Sequence, residues 1–195
     1  MNARATMIAG AVASLFSLAA TAQTTGSEVQ RDVNQQQRIE QGLQNGSLNT
    51  REASKLEADQ SRINRMQSNA EKDGKLSPAE KARIQRAQNQ ESRDINRLES
   101  NAAKGNPNSA SSQRMQADVQ RNINQQRRIE QGAQSGSLTT REAGRLEHGE
   151  ARISKKEARD GADGNVNAHE QRRVQSAENR QSRRIHREKH GAQTK

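Results

Sequence analysis

The chain has 195 residues, no cysteine, tryptophan or tyrosine, and a single phenylalanine; 33 Lys and Arg against 23 Asp and Glu give a formal charge of +10. Without cysteine there is no disulfide staple, no thiol nucleophile and no lipid-modified N-terminal cysteine. With Phe16 as its one Phe, Tyr or Trp, in a stretch read below as a leader, the chain offers no stacking platform for bases, so nucleic acid is not an expected partner. After Ala22 the chain holds 22 Val, Ile, Leu and Met residues, a supply low enough to bring a sequence under suspicion of disorder. Burying a Leu-sized side chain contributes about 1.5–3 kcal/mol, whereas ordering each residue costs about 1–2 kcal/mol of backbone entropy. The composition therefore predicts a thin-cored fold of low stability.

At the N-terminus Arg4 precedes an apolar run from Met7 to Ala20, closed by Ala20-Thr21-Ala22. A basic start, a short apolar stretch and a small-x-small site make up a secretory leader. The run is too short and too rich in Ala and Ser to span a bilayer, and no later segment could cross one. Residues 1–22 are thus expected to be a disordered signal peptide, cut after Ala22. The mature chain would then lie in the periplasm or outside the cell.

The rest is a tandem duplication. Val29-Gln30-Arg31 through Arg97 aligns without a gap on Val119-Gln120-Arg121 through Arg187, with about half the positions identical. Asn34–Gly42 returns at Asn124–Gly132, Thr50–Ala53 at Thr140–Ala143, and Ala87–Arg97 at Ala177–Arg187. A repeat this close governs how everything else is read. Within each copy the apolar period is helical. Leu56, Ile63, Met66 and Ala70 form one stripe; Ile84, Ala87, Ile95, Leu98 and Ala102 form a second with a gap at Glu91; Val29, Val33, Ile39 and Leu43 form a third, interrupted by glutamines. Asn45-Gly46 and Asp73-Gly74 tolerate the positive φ that a helix C-terminus needs. Ser77-Pro78-Ala79-Glu80 is a complete capping box, and its spacing returns at Asn49/Glu52, Thr139/Glu142 and Asn167/Glu170. These signals predict an all-α protein of two tandem three-helix units, residues 28–102 and 113–190. Each would be an antiparallel bundle with helices of four to six turns, joined by a flexible Gly/Pro/Asn/Ser linker at 103–112. The polar gaps at Gln36, Gln60 and Glu91 suit pairing with another helix. Oligomeric state, and whether the two units pack together, stay open at this level.

Four twelve-residue joints share one pattern: Gln41–Glu52, Asn69–Glu80, Gln131–Glu142 and Arg159–Glu170. Gly46, Gly74, Gly136 and Gly164 hold the sixth place of each, and a Glu holds the twelfth. The joints resemble the calcium loops of the EF-hand superfamily, which take ligands from places 1, 3, 5, 7, 9 and 12 around a Gly at 6. That resemblance implies calcium as a candidate ligand, held by Asn69, Glu71, Asp73, the Lys75 carbonyl, Ser77 and Glu80, with Leu76 as the apolar eighth residue. In the last joint Asp163 and Glu170 are the carboxylates that remain, and the others carry Gln, Leu or Ala where a ligand belongs. A hard cation needs several carboxylates to replace its water, so Asn69–Glu80 is the candidate site of the four. The same residues at places 5, 6, 9 and 12 are also those of a plain helix–turn–helix with a Gly cap and a capping box.

Leu138–Glu142 and Leu76–Glu80 are similar to the L-T-x-x-Q signature of the Spy-like periplasmic chaperones, with Glu for Gln. That resemblance implies unfolded client proteins as partners. The duplicated unit as a whole resembles small secreted proteins of Gram-negative bacteria. His186 and His190, four apart, could share a helix face and a zinc ion, but H-R-E-K-H is not the metalloprotease motif and no further ligand is near in sequence. Mixed charges along the helices read as solvated faces; the net charge also suits anionic envelope components such as lipopolysaccharide or cell-wall polymer. Neither a G-x-S-x-G elbow nor a Gly-rich phosphate loop is present. The sequence thus predicts a non-enzymatic exported helical repeat protein, with calcium at Asn69–Glu80, unfolded clients or anionic polymers as alternative ligands.

Overall fold

The structure is a computed structural model that describes residues 16–191, and side chains from residue 25 onward. Most of the expected leader therefore lies outside the described residues. The order is α1 Phe16–Asn45, α2 Thr50–Ala70, α3 Pro78–Glu99, α4 Ala110–Gln134, α5 Thr140–Asp160 and α6 Ala168–Gly191. Each copy contributes three helices, and no strand occurs among the described residues. At 21 to 30 residues, the helices run about six to eight turns, longer than the apolar stripes alone predict. They continue through the Gln- and Asn-rich stretches because those stretches are interior.

The joints form as their residues dictate. Asn49, Ser77 and Thr139 are N-caps whose side chains accept from the backbone N–H three residues on, while Glu52, Glu80 and Glu142 return the bond. Asn167 and Glu170 make the same exchange at 2.9 and 3.0 Å. Gly46, Gly74, Gly136 and Gly164 all have φ between 74° and 89°, the left-handed region in which a side chain is strained. The connection between the copies is docked: Gly105 N–H donates to the Gly46 carbonyl at 2.9 Å, and a Cβ on Gly105 would come within 2.3 Å of the Leu48 carbonyl oxygen. Helix α4 already begins inside the stretch read as linker.

The main packing runs between the copies: α1 lies on α4 and α2 on α5, while α3 and α6 close over the helices of their own copies. Both central pairs are antiparallel. Gly26 meets Gln134 at one end of α1–α4, and Gln116 reaches the Leu43 carbonyl at the other. On α2–α5 the Ser61 hydroxyl donates to the Ala151 carbonyl at 2.8 Å. Ser61 and Ala151 are equivalent positions of the duplication, so the two copies are related by a local twofold through that contact. Bonds accordingly come in pairs. Arg31 donates to Asn89 and Arg121 to Asn179; Arg51 donates to the Asp163 carbonyl and Arg141 to that of Asp73.

Twenty of the 22 Val, Ile, Leu and Met side chains are buried, so nearly the whole apolar supply is inside. They gather in two clusters. One holds Ile39, Leu43, Leu48, Leu56, Ile95, Leu98, Met115 and Ile123; the other holds Val29, Ile129, Leu138, Leu146 and Ile185. Each cluster draws on both copies. Of the expected stripe residues, Met66 and Ala87 are half-buried and Ala102 is exposed. A chain cut after Gly105 keeps half of every central pair. It should show little helix by circular dichroism at low concentration and gain it only as it self-associates, with sedimentation tracking the gain; a folded monomeric half would contradict the shared core.

Candidate functional site

The Asn69–Glu80 joint distributes its six candidate ligands in different directions. Asn69 is exposed on the last turn of α2. Glu71 caps that helix and turns inward, 1% exposed. Asp73 accepts from the Lys75 N–H at 2.9 Å, which closes the turn before the apolar residue. Glu80 accepts from the Ser77 N–H at 3.0 Å and from the Ser77 hydroxyl at 2.6 Å. A cation already sits on the joint: the Arg141 guanidinium donates to the carbonyls of Lys72 at 3.1 Å and Asp73 at 3.2 Å. Asp73, Ser77 and Glu80 thus satisfy groups of the joint itself, and Glu71 is turned into the interior. The last joint follows suit: Asp163 accepts from Asn165 N–H, Glu170 closes its box, and Arg51 lies on the Asp163 carbonyl. At the other end of the chain the His186 and His190 rings are 4.5 Å apart. Among the described residues no cluster of three or more His, Cys, Asp and Glu has the geometry of a metal site.

The feature that sequence reasoning missed is where the acids go. Thirteen of the 23 Asp and Glu residues are buried, whereas no Lys or Arg is buried among the described residues. Besides the two apolar clusters the interior holds a polar layer of Asp32, Gln36, Glu57, Gln60, Asn64, Gln88, Glu91, Asn122, Gln126, Glu147, Glu150, Ser154, Glu157, Glu178 and Gln181, each at most 5% exposed. Amides hold several of the acids. Asp32 accepts from Gln67 at 2.6 Å and Gln88 at 2.8 Å; Glu150 accepts from Gln181 at 3.0 Å; Glu157 accepts from Asn122 at 2.7 Å. The Gln60 amide, oriented to suit its neighbours, donates to both Glu91 oxygens at 3.1 and 3.2 Å. Neither Glu147 oxygen has a partner. The polar gaps at Gln36, Gln60 and Glu91 are therefore interior positions that face neighbouring helices.

Desolvation disfavours a buried charge, so these carboxyls hold their protons. Burial raises Asp32 to about 7 against the bonds from Gln67 and Gln88. It raises Asp118 to about 7 against the nearby Arg121 charge, Glu71 to about 8, and Glu150 to about 8 against the Gln181 bond. Burial, with Asp118 adding to it, takes Glu178 to about 9. Glu91, Glu147 and Glu157 are held well above the usual carboxylate range by burial and by the acids around them.

No family model, curated protein or solved structure matches this chain. Its chemistry has to be taken from its own geometry. Each of the acids that burial holds protonated, Glu71, Glu91, Glu147, Glu150, Glu157 and Glu178, adds a positive charge to the formal +10. Several acids left outside are already engaged: Glu80, Glu142 and Glu170 in capping boxes, Asp59 with Arg62, Asp94 with Arg97 and Glu99 with Arg38. The outer face is thus dominated by guanidinium groups. They border a concavity between α2, α5 and α6 lined by Arg65, Lys72, Arg141, Arg145, His148 and Arg184. A second concavity, of about 400 Å³, is bordered by Arg128, Arg183, His186 and Arg187.

A carboxyl whose folded pKa is raised contributes stability that is fully present below its unfolded value and is lost as pH rises through the folded value. Here that window runs from about 4.5 to about 9. The Tm should therefore fall by about 10 °C or more between pH 5 and pH 9. Glu150→Gln should flatten that slope in thermal melts, because it keeps the shape and removes the titration. A Tm that stays level or climbs over this range would show that the layer is ionised.

Proposed function

We propose that this chain is an exported, non-enzymatic helical protein that holds anionic polymers of the cell envelope on its arginine-rich surface. The observation that carries this reading is the sorting of charge: acids and cations that alternate in sequence part company in space. Along the chain the two signs are interspersed; at the surface the cations predominate. Anionic chains of lipopolysaccharide or cell-wall type supply the opposite charge, and planar guanidinium groups are suited to phosphate and carboxylate through paired N–H bonds. Export is supported by the Arg4, Met7–Ala20 and Ala20-Thr21-Ala22 pattern. No helix among the described residues is long and apolar enough to cross a membrane. A Spy-like holdase needs apolar surface for its clients, and of the 22 Val, Ile, Leu and Met side chains after the leader only Met66 and Leu76 are not buried.

Attraction between exposed charges is screened within about 10 Å at 0.1 M salt and about 3 Å at 1 M. The protein without its leader should therefore cosediment with lipopolysaccharide or anionic vesicles at low salt and be released by 1 M salt. Arg183→Glu with Arg187→Glu should weaken retention by several-fold at intermediate salt. Retention that is indifferent to salt would overturn the reading.

A second reading keeps calcium at Asn69–Glu80, because oxygen stands at every liganding place. For calcium to bind there, Glu80 would have to leave its capping box, at a cost of about 1 kcal/mol. Glu71 would have to come out of the interior, and Arg141 would have to leave the Lys72 and Asp73 carbonyls. Calcium and Arg141 thus compete for the same oxygens. Titration calorimetry should find tighter calcium binding in Arg141→Ala than in the parent; unchanged or weaker binding would remove Arg141 as the competitor.

A further inference from the structure

The concavity between α2, α5 and α6 differs from the general basic surface. It encloses about 380 Å³, within the range of small-molecule sites. Arg65, Ser68 and Asn69 line it from the last turns of α2, Lys72 from the turn that follows, and Arg141, Gly144, Arg145 and His148 from the first turns of α5. Arg184 closes it from α6. No carboxylate lines it. Arg65, Lys72, Arg145 and His148 have no ion pair or side-chain hydrogen bond; Arg184 has only a long contact, 3.9 Å, to Glu188. The Arg141 guanidinium is fixed at the rim by two carbonyls. One buried acid, Glu71, lies behind Gly144, where a Cβ would touch its Cβ at 2.7 Å. Burial keeps that carboxyl neutral at pH 7, so it does not repel an anion above it.

The duplication supplies an internal control. The positions related by the local twofold to Arg65, Lys72, Arg141, Arg145, His148 and Arg184 are Lys155, Ala162, Arg51, Lys55, Ala58 and Asp94. The backbone frame is shared, yet the counterparts of Lys72 and His148 are alanine and that of Arg184 is an acid, itself paired with Arg97. Solubility or helix packing would act on both copies alike. One joint has been loaded with unpaired cations and its twin has not.

We propose that this concavity is a binding site for a ligand with at least two adjacent phosphate groups, held by the guanidinium groups of Arg65, Arg145 and Arg184 with Lys72 and His148. The size exceeds what a single orthophosphate fills, and six convergent basic groups exceed its charge. This site rests on the reading of the surface as an anion binder and narrows it to one place and one chemistry. A soluble polyphosphate and the headgroup of a bis-phosphorylated glycolipid share that chemistry.

The test is titration calorimetry of the leaderless protein with inorganic tripolyphosphate and with orthophosphate, alongside flotation with vesicles carrying a bis-phosphorylated glycolipid. Arg145→Glu and its twin Lys55→Glu are compared, since both are exposed and change the charge equally. Circular dichroism verifies that each variant is folded. Tripolyphosphate should bind with unit stoichiometry and more tightly than orthophosphate. Its Kd should rise by about tenfold in Arg145→Glu and by less than about twofold in Lys55→Glu. Glycolipid flotation that is lost in step with tripolyphosphate binding assigns the source to a lipid headgroup, and flotation unaffected by Arg145→Glu assigns it to a soluble polyphosphate. Equal losses in the two variants, or no tripolyphosphate binding while salt-sensitive polymer retention persists, would overturn the site and leave the surface reading standing. Absence of both kinds of binding would end both.

Discussion

Everything in this fold depends on filling an interior for which there are too few apolar side chains. Six long helices packed in antiparallel pairs enclose more space than 22 aliphatic residues can occupy. The remainder is filled by Gln, Asn, Asp and Glu, which must find partners or lose their charge. Burying an ionised carboxylate in such a place is far more costly than burying the acid, so the group keeps its proton. Amides suit the neighbours of such acids, because each offers a donor and an acceptor. Gln67 and Gln88 around Asp32 show this, as does Gln181 beside Glu150.

This constraint sets the character of the surface. Every carboxyl drawn into the layer is taken from the outside, and no lysine or arginine is buried with it, although Arg121 reaches Glu178 from the surface at 3.5 Å. A protein with a full aliphatic core would leave its acids among its cations, and the two would neutralise each other across a few ångströms. Here a deficit of hydrophobic residues becomes a surplus of surface charge. The anion-binding reading and the polar interior are therefore two consequences of one composition.

How far the sequence reveals this depends on the range of the signal. Caps and joints are local, carried by residues within a dozen positions, and they were legible: Gly46, Gly74, Gly136 and Gly164 all take positive φ, and all four capping boxes close. The six-helix count follows from them. The layer was not legible, because a period of apolar residues passes over Glu57, Gln60, Asn64, Gln67 and Glu71, although these recur at three- and four-residue steps along one face of α2. Glu147, Glu150, Ser154 and Glu157 do so on α5. In sequence such a face cannot be told from a solvated one; only the partner across α2–α5 turns it inward. The basic concavity was hidden for the same reason, since Arg65, Arg145 and Arg184 come from three helices and two copies. For Asn69–Glu80 the twelve-residue pattern located the joint correctly, but it could not tell an oxygen available for a ligand from one already used by a backbone N–H.

The duplication also explains how a joint can be specialised without disturbing the fold. The Asn69–Glu80 joint and its twin Arg159–Glu170 each rest on a Gly, a capping box and an arginine from the other copy, Arg141 for one and Arg51 for the other. Those parts hold the helices in register, and both copies keep them. The outward residues of α2, α5 and α6 near the joint touch neither cap nor layer, and are free to change. Lys72 against Ala162, His148 against Ala58 and Arg184 against Asp94 all fall in that free set. The local twofold doubles the frame, and divergence at exposed positions then gives one of its two equivalent hollows a chemistry that the other lacks.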